Sequence, residues 1–152
     1  MNILFWFMAL FAAAGVAAAQ QPSVSTTVTG LGCLTSLGAD TFSVTTWTLN
    51  VDRPTSVPAF GELEIHKNSD ACSANLLAAL NSQQKYSSAI LSEFNAASTL
   101  VMKVQISNVQ VSVYNPTGGS ETVRFSYSKV QLTTNFPNTK SSCWDIAGSK
   151  SC

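Results

Sequence analysis

The chain has 152 residues, with eight basic side chains balanced by eight acidic ones and charged residues at only 11%. No basic stripe exists to grip phosphates, which excludes a nucleic-acid partner. Weak self-repulsion on a neutral, Ser/Thr-rich surface permits close association of copies.

Met1 to Ala19 is apolar, carries no charged side chain and ends in small residues before Gln20, Gln21 and Pro22. That order is what a signal peptidase needs. Residues 1–19 are therefore expected to be a signal peptide cleaved after Ala19. The alternative is a retained anchor, but the run barely reaches the ~20 residues a membrane span needs. The reading is a secreted or periplasmic protein that meets a membrane only through the signal peptide before cleavage. The remainder suits one domain with a real core, expected over residues 20–136 with a tail over 137–152.

Val24 to Leu31 is β-branched and reads as a strand; Gly30, Gly32 and Gly38 then break up a loop carrying Cys33. Phe42 and Val44 share one parity and Trp47, Leu49 and Val51 the other, so a bulge or bend is predicted at Thr45–Thr46. Residues 52–58 form a loop. Gly61 to His66 alternates, with Leu63 and Ile65 inward and Glu62, Glu64 and His66 outward. The period then changes. Ser69 or Asp70 can cap a helix running to about Gln83, with Cys72, Leu76, Leu77 and Leu80 as its apolar stripe. Ala89 to Phe94 returns to strand.

The last hairpin is the most informative segment. Leu100, Met102, Val104 and Ile106 share one parity, and Val109, Val111 and Val113 the other. The returning strand carries Val123, Phe125 and Tyr127, then Val130 and Leu132 after a slip at Ser128–Lys129. Residues 115–120 lie between as the turn, which brings the two slips to one level. Coincident slips mean that the ribbon bends and exchanges its buried face, as a sheet does to close a barrel or join two packed layers. The tail from Pro137 lacks periodicity and reads as a disulfide-pinned extension.

Four cysteines, Cys33, Cys72, Cys143 and Cys152, sit behind the export signal. An even count in that setting favours disulfides, and no pair has the Cys-x-x-Cys spacing that presents two thiolates to zinc. Three connectivities are open; Cys33–Cys72 with Cys143–Cys152 is favoured. His66, Glu64 and Glu62 share a strand face and could form a His–carboxylate pair, although a solvated outer face is the simpler reading. Ser82 with Lys85, and Ser126 with Lys129, fit Ser-x-x-Lys. The second pair would face opposite sides of a strand, and the partner motifs of serine acyl enzymes are absent from the sequence. No catalytic residue, metal ligand or cofactor is assigned. Trp47 reads as core, and Trp144 as packed against the body or as an exposed contact.

Four segments in order resemble the Hcp (haemolysin-coregulated protein) family, the tube subunits of type VI secretion systems. They are Phe42-Ser-Val-Thr-Thr-Trp-Thr-Leu, Leu63-Glu-Ile-His-Lys-Asn-Ser-Asp-Ala-Cys-Ser-Ala-Asn-Leu-Leu77, Val104-Gln-Ile-Ser-Asn-Val-Gln-Val-Ser-Val-Tyr114 and Gly118-Gly119-Ser-Glu-Thr-Val-Arg-Phe-Ser-Tyr-Ser-Lys-Val130. The resemblance implies a mainly β fold: a small two-sheet β-barrel with one flanking α-helix. It also implies hexameric rings that stack head to tail around a lumen for protein cargo, with no active site and no cofactor. In such a ring the loop Asn115, Pro116, Thr117, Gly118, Gly119 and Ser120 would reach the neighbouring ring; read from its residues alone, a tip rich in Gly and small polar side chains is equally a mobile turn. The export signal, the two disulfides and the Cys143–Cys152 tail depart from the family pattern. The expected function is an exported ring- or tube-forming protein, possible partner of type VI secretion; the alternative is a monomeric secreted binding module or effector on the same fold.

Overall fold

The computed structural model describes residues 23–135 and 137–152; the predicted signal peptide and its cleavage site lie outside them. The elements are β1 (Ser23–Val28), β2 (Leu34–Thr35), β3 (Gly38–Ala39), β4 (Thr41–Val44), β5 (Thr46–Asp52), β6 (Ala59–Asn68), α1 (Ser73–Ser82), β7 (Lys85–Phe94), β8 (Leu100–Thr117), β9 (Ser120–Ser126), β10 (Lys129–Thr134), β11 (Lys140–Asp145) and β12 (Lys150–Ser151). The chain is thus mainly β with one helix among the described residues. Every ladder is antiparallel.

Strand β8 organises the molecule because it belongs to both layers. Its first half lies between β7 and β10, in the order β12-β11-β10-β8-β7-β1-β4. Its second half pairs with β9, which continues through β6 to β5. The change of layer is the predicted crease. Val104 and Ile106 are buried before it and Val109 and Val111 after it, while Phe125 gives way to Val130 on the returning arm. At the crease Asn108 adopts φ 53°, a left-handed conformation that Asn tolerates better than most residues. Its amide Nδ2 donates to the Ser128 hydroxyl at 2.7 Å, and the Ser128 N–H donates to the Ser107 carbonyl at 3.0 Å. Face exchange and hydrogen-bonded register therefore coincide.

A second slip, which the apolar pattern does not mark, lies between Val111 and Val113. The extra residue leaves Val113 only half-buried and turns Tyr114 inward instead. The predicted break at Thr45 is present and separates β4 from β5. There the Thr45 N–H donates to the His66 carbonyl at 2.8 Å, so the chain steps from one layer to the other. Among the described residues the ladders do not close: they end at β12 on one side and at β4 and β5 on the other. Barrel closure, as expected from the sequence, is not made by hydrogen-bonded strands.

The core is a single cluster drawing on both layers, with Phe42, Leu63, Ile65, Leu91, Ile106 and Phe125 all fully buried. Helix α1 packs across β8. It starts later than predicted. Asp70 accepts the Cys72 N–H at 2.8 Å and the Ser73 hydroxyl accepts the Asp70 N–H at 2.9 Å, while the N-cap residue, Cys72, makes no side-chain cap. Gln83 ends it in a left-handed conformation. Its buried residues are Leu76 and Ala79, with Leu80 packed beside them; Leu77, expected on the stripe, is exposed.

The tail also differs from expectation. Lys140–Asp145 adds a full strand to β10, with Trp144 opposite Val130. The sequence concealed this because Lys140, Ser141 and Ser142 are exposed, and an edge strand that buries little shows no two-residue apolar period.

Candidate assembly surface

Both favoured cysteine pairs are joined: Cys33 to Cys72, with Cα atoms 5.1 Å apart, and Cys143 to Cys152, at 5.2 Å. The first is buried and ties the loop after β1 to the start of α1. The second is more exposed and holds β12 beside β11. An oxidising compartment is the setting in which such bonds persist.

The end of the molecule carrying the β8–β9 turn is built around charge. Lys67 has no exposed surface. Its Nζ donates to Glu121 Oε2 at 2.8 Å and to the Asn68 carbonyl at 2.9 Å, and lies 3.0 Å from Asp70 Oδ1. The Phe42 ring lies 5.4 Å from it. Glu121 is 2% exposed, and its other oxygen accepts the Tyr114 hydroxyl at 2.8 Å. Burial pushes the Glu121 pKa up, but hydrogen bonds from Lys67, Ser73 and Tyr114 outweigh it and leave the carboxyl below its ordinary value. Tyr114 is shifted the other way, by burial first and then by Glu121. Sequence reasoning missed this network. A signal was present: Lys67 continues the inward parity of Leu63 and Ile65, and Glu121 that of Val123 and Phe125.

Above the network sits the turn. The six-residue tip expected over Asn115–Ser120 is shorter in the structure: Asn115, Pro116 and Thr117 still pair with Thr122, Glu121 and Ser120. Only Gly118 and Gly119 turn, at φ 59° and 85°, the double positive φ of a type I′ hairpin, which glycine adopts without a steric cost. The Gly119 carbonyl accepts the Ser69 N–H at 2.9 Å, so the tip is docked against the β6–α1 connection.

Other uncovered features lie along the sides. Leu34 and Leu37, on the small β2–β3 hairpin, are 71% and 54% exposed. Between the β5 edge and β10–β11, an apolar recess is lined by Leu49, Val51, Phe60, Leu132 and Trp144. Trp144 stacks on Phe60 with ring centroids 6.2 Å apart. Trp47 is half-buried, its indole N–H donating to Glu93 at 3.2 Å.

The structure brings His66 and Glu64 together. His66 Nε2 lies 3.0 Å from Glu64 Oε1 and Nδ1 lies 3.1 Å from the Thr122 hydroxyl, while Arg124 Nε donates to Glu64 Oε2 at 2.5 Å. The Arg124 hydrogen bond holds the Glu64 carboxyl below its ordinary pKa. Both imidazole nitrogens are thus engaged by neighbouring β-strand residues on an open face, the arrangement of a cross-strand polar stripe. Glu62, expected beside them, joins no ion pair in this stripe. Ser82 points back to the Ala79 carbonyl, at 3.4 Å, and Ser126 to the Gln110 carbonyl, at 3.4 Å; neither hydroxyl is directed to the lysine three residues on. Among the described residues no three His, Cys, Asp or Glu side chains converge to hold a metal, and no helix is long and apolar enough to cross a membrane.

Residues 35–133 match the protein family described as type VI secretion system effector, Hcp. No curated protein sequence matches the chain. Among solved structures, it is similar to Hcp1 from Salmonella typhimurium, with a TM-score of 0.80 and 19% identity over 87% of this chain and 99% of that one. Hcp2 from the same organism gives 0.74 and 18%, over 84% and 98%. The secreted protein Hcp3 from Pseudomonas aeruginosa gives 0.67 and 20%, over 82% and 98%.

Proposed function

Because the chain belongs to the Hcp family, we propose that it is an exported structural protein that assembles with copies of itself into hexameric rings, stacked as a tube, in the service of type VI secretion. The observation that carries this reading is the family match across residues 35–133, which spans both layers and the creased hairpin. The body is read as barrel-like, the two layers enclosing one core although their ladders stay open. Its role is contact rather than catalysis, with protein cargo as the other partner.

The surface supports self-contact. Among the described residues the β5 edge is unpaired on its outer side, and an unpaired edge is a template for another chain. The recess around Val51, Leu132 and Trp144 offers apolar area beside it. The leucines on β2–β3 offer a protruding apolar counterpart elsewhere on the same chain. A protrusion and a recess on different faces make a head-to-tail contact, which closes into a ring when the rotation permits. The Asn115–Ser120 end is assigned to contact between rings. Localisation outside the cytoplasm rests on the two disulfides and on residues 1–19 acting as a cleaved signal.

Light scattering and negative-stain imaging of the mature chain test the reading. Annular particles of hexamer mass are expected. A species that stays monomeric at high concentration overturns it.

A further inference from the structure

We propose that Lys67 is the positioning residue of the β8–β9 end: a buried ammonium that fixes the glycine turn relative to the start of α1, so that the turn is presented to a second copy in one geometry. The purpose assigned to it rests on the assembly reading above; the clamp itself does not.

The turn cannot orient itself. Gly118 and Gly119 have no side chains, and even a Cβ built on either would meet nothing within 4 Å. Beyond the β8–β9 ladder and the Ser69-to-Gly119 backbone bond, what fixes their direction acts from below. Directly below, the Lys67 amine has three N–H donors; it donates to the Asn68 carbonyl at the end of β6 and to Glu121 on β9, and forms an ion pair with Asp70 ahead of α1. Glu121 passes the connection to β8 through Tyr114. The Ser73 hydroxyl, on the first residue of α1, lies 3.4 Å from the same amine. One nitrogen therefore reads β6, the helix start, β9 and, at one remove, β8. The Ser69-to-Gly119 backbone bond spans the same gap further out, and the Cys33–Cys72 bridge holds the helix start from the other side.

A charged centre is a costly way to fill that space. Apolar residues of similar volume are often equally stable in place of a buried ion pair. They cannot supply direction, because dispersion contacts have no preferred angle whereas charge-assisted hydrogen bonds do. The use of an ammonium here is explained if relative placement, not stability, is what the site provides.

The test is the mature chain carrying Lys67→Met together with Glu121→Leu, which removes both charges and leaves neither buried alone. The variant is expected to fold with its thermal midpoint near that of the parent. Hydrogen exchange at the Ser69 amide, the reporter of tip docking, should quicken about tenfold as local opening becomes easier. Single rings should persist while stacked rings are lost. Unchanged Ser69 protection with parental stacking overturns the proposal. If the parent chain itself forms no rings, the assembly reading falls and Ser69 exchange alone decides the clamp. If the double variant does not fold, Tyr114→Phe takes one hydroxyl from Glu121 without stranding a charge. It should quicken Ser69 exchange about threefold, and no change there refutes the clamp.

Discussion

Removing the two disulfides one at a time separates the contributions of a long loop and a short one. Cys33–Cys72 spans 39 residues of sequence and Cys143–Cys152 spans 9. In the chain-entropy description, a cross-link stabilises by restricting the unfolded chain, and the effect grows with the logarithm of loop length. The long loop then contributes about 4 kcal/mol and the short one about 2.7 kcal/mol. The structure widens the gap, because Cys33 and Cys72 are 8% and 0% exposed and replacing them by alanine also removes packed sulfur. Urea unfolding followed by tryptophan fluorescence measures both. Cys33→Ala with Cys72→Ala should lower the unfolding free energy by about 4 kcal/mol or slightly more, and Cys143→Ala with Cys152→Ala by about 2.5–3 kcal/mol. A mild thiol should also open Cys143–Cys152 first, since Cys152 is exposed. A tail variant that loses as much stability as the Cys33–Cys72 variant, or more, refutes the reasoning.

At the crease, Asn108→Val places a β-branched residue at φ 53° and should cost about 1–2 kcal/mol, while Asn108→Gly should cost less; thermal unfolding of both variants checks the order. Phe125→Ala empties a fully buried site shared by both layers and should lose about 3–5 kcal/mol in denaturant unfolding. Acid should destabilise the fold through Glu121 and Asp40, whose folded-state pKa values lie below the ordinary 4.5 and 3.8. Asp40 is lowered chiefly by the Gly30 and Gly32 N–H groups it accepts. A carboxyl depressed by folding stabilises above its unfolded pKa and loses that contribution as pH falls through the folded value. Unfolding midpoints should therefore be flat at neutral pH and fall below about pH 4.5, and Glu121→Gln should flatten the acid limb.

The alternation of apolar residues made the strands legible wherever one face is buried. Leu63 and Ile65 against Glu64 and His66, and the coincident slips near Asn108 and Ser128, are where the two-residue period speaks clearly, and there the structure follows the sequence. Three features escaped for physical reasons. Strand β11 is polar because it lies at an edge. The bulge at Ser112 shifts the pleat without an apolar residue to mark it, since Ser112 reaches only the Arg124 carbonyl, at 3.1 Å. The Lys67–Glu121 pair is a buried interaction between residues 54 positions apart, and a periodicity argument treats a lysine as solvent-facing by type even when its parity says otherwise. Of the candidate assembly surface, the glycine turn and Trp144 were visible in the sequence. The apolar recess was not, because it exists only once β5, β6, β10 and β11 are brought side by side.

The order of the bridges along the chain bears on how oxidation proceeds. Each cysteine is joined to its immediate neighbour in the series, first to second and third to fourth. A polypeptide emerging from a translocation pore with its amino end leading would expose Cys33, then Cys72, and only much later the remaining two thiols. If Cys33 and Cys72 join before Cys143 emerges, the one partner within reach at every stage is the native one. Correct pairing then needs an oxidant but no reshuffling, and an isomerase should leave the yield of native protein unchanged.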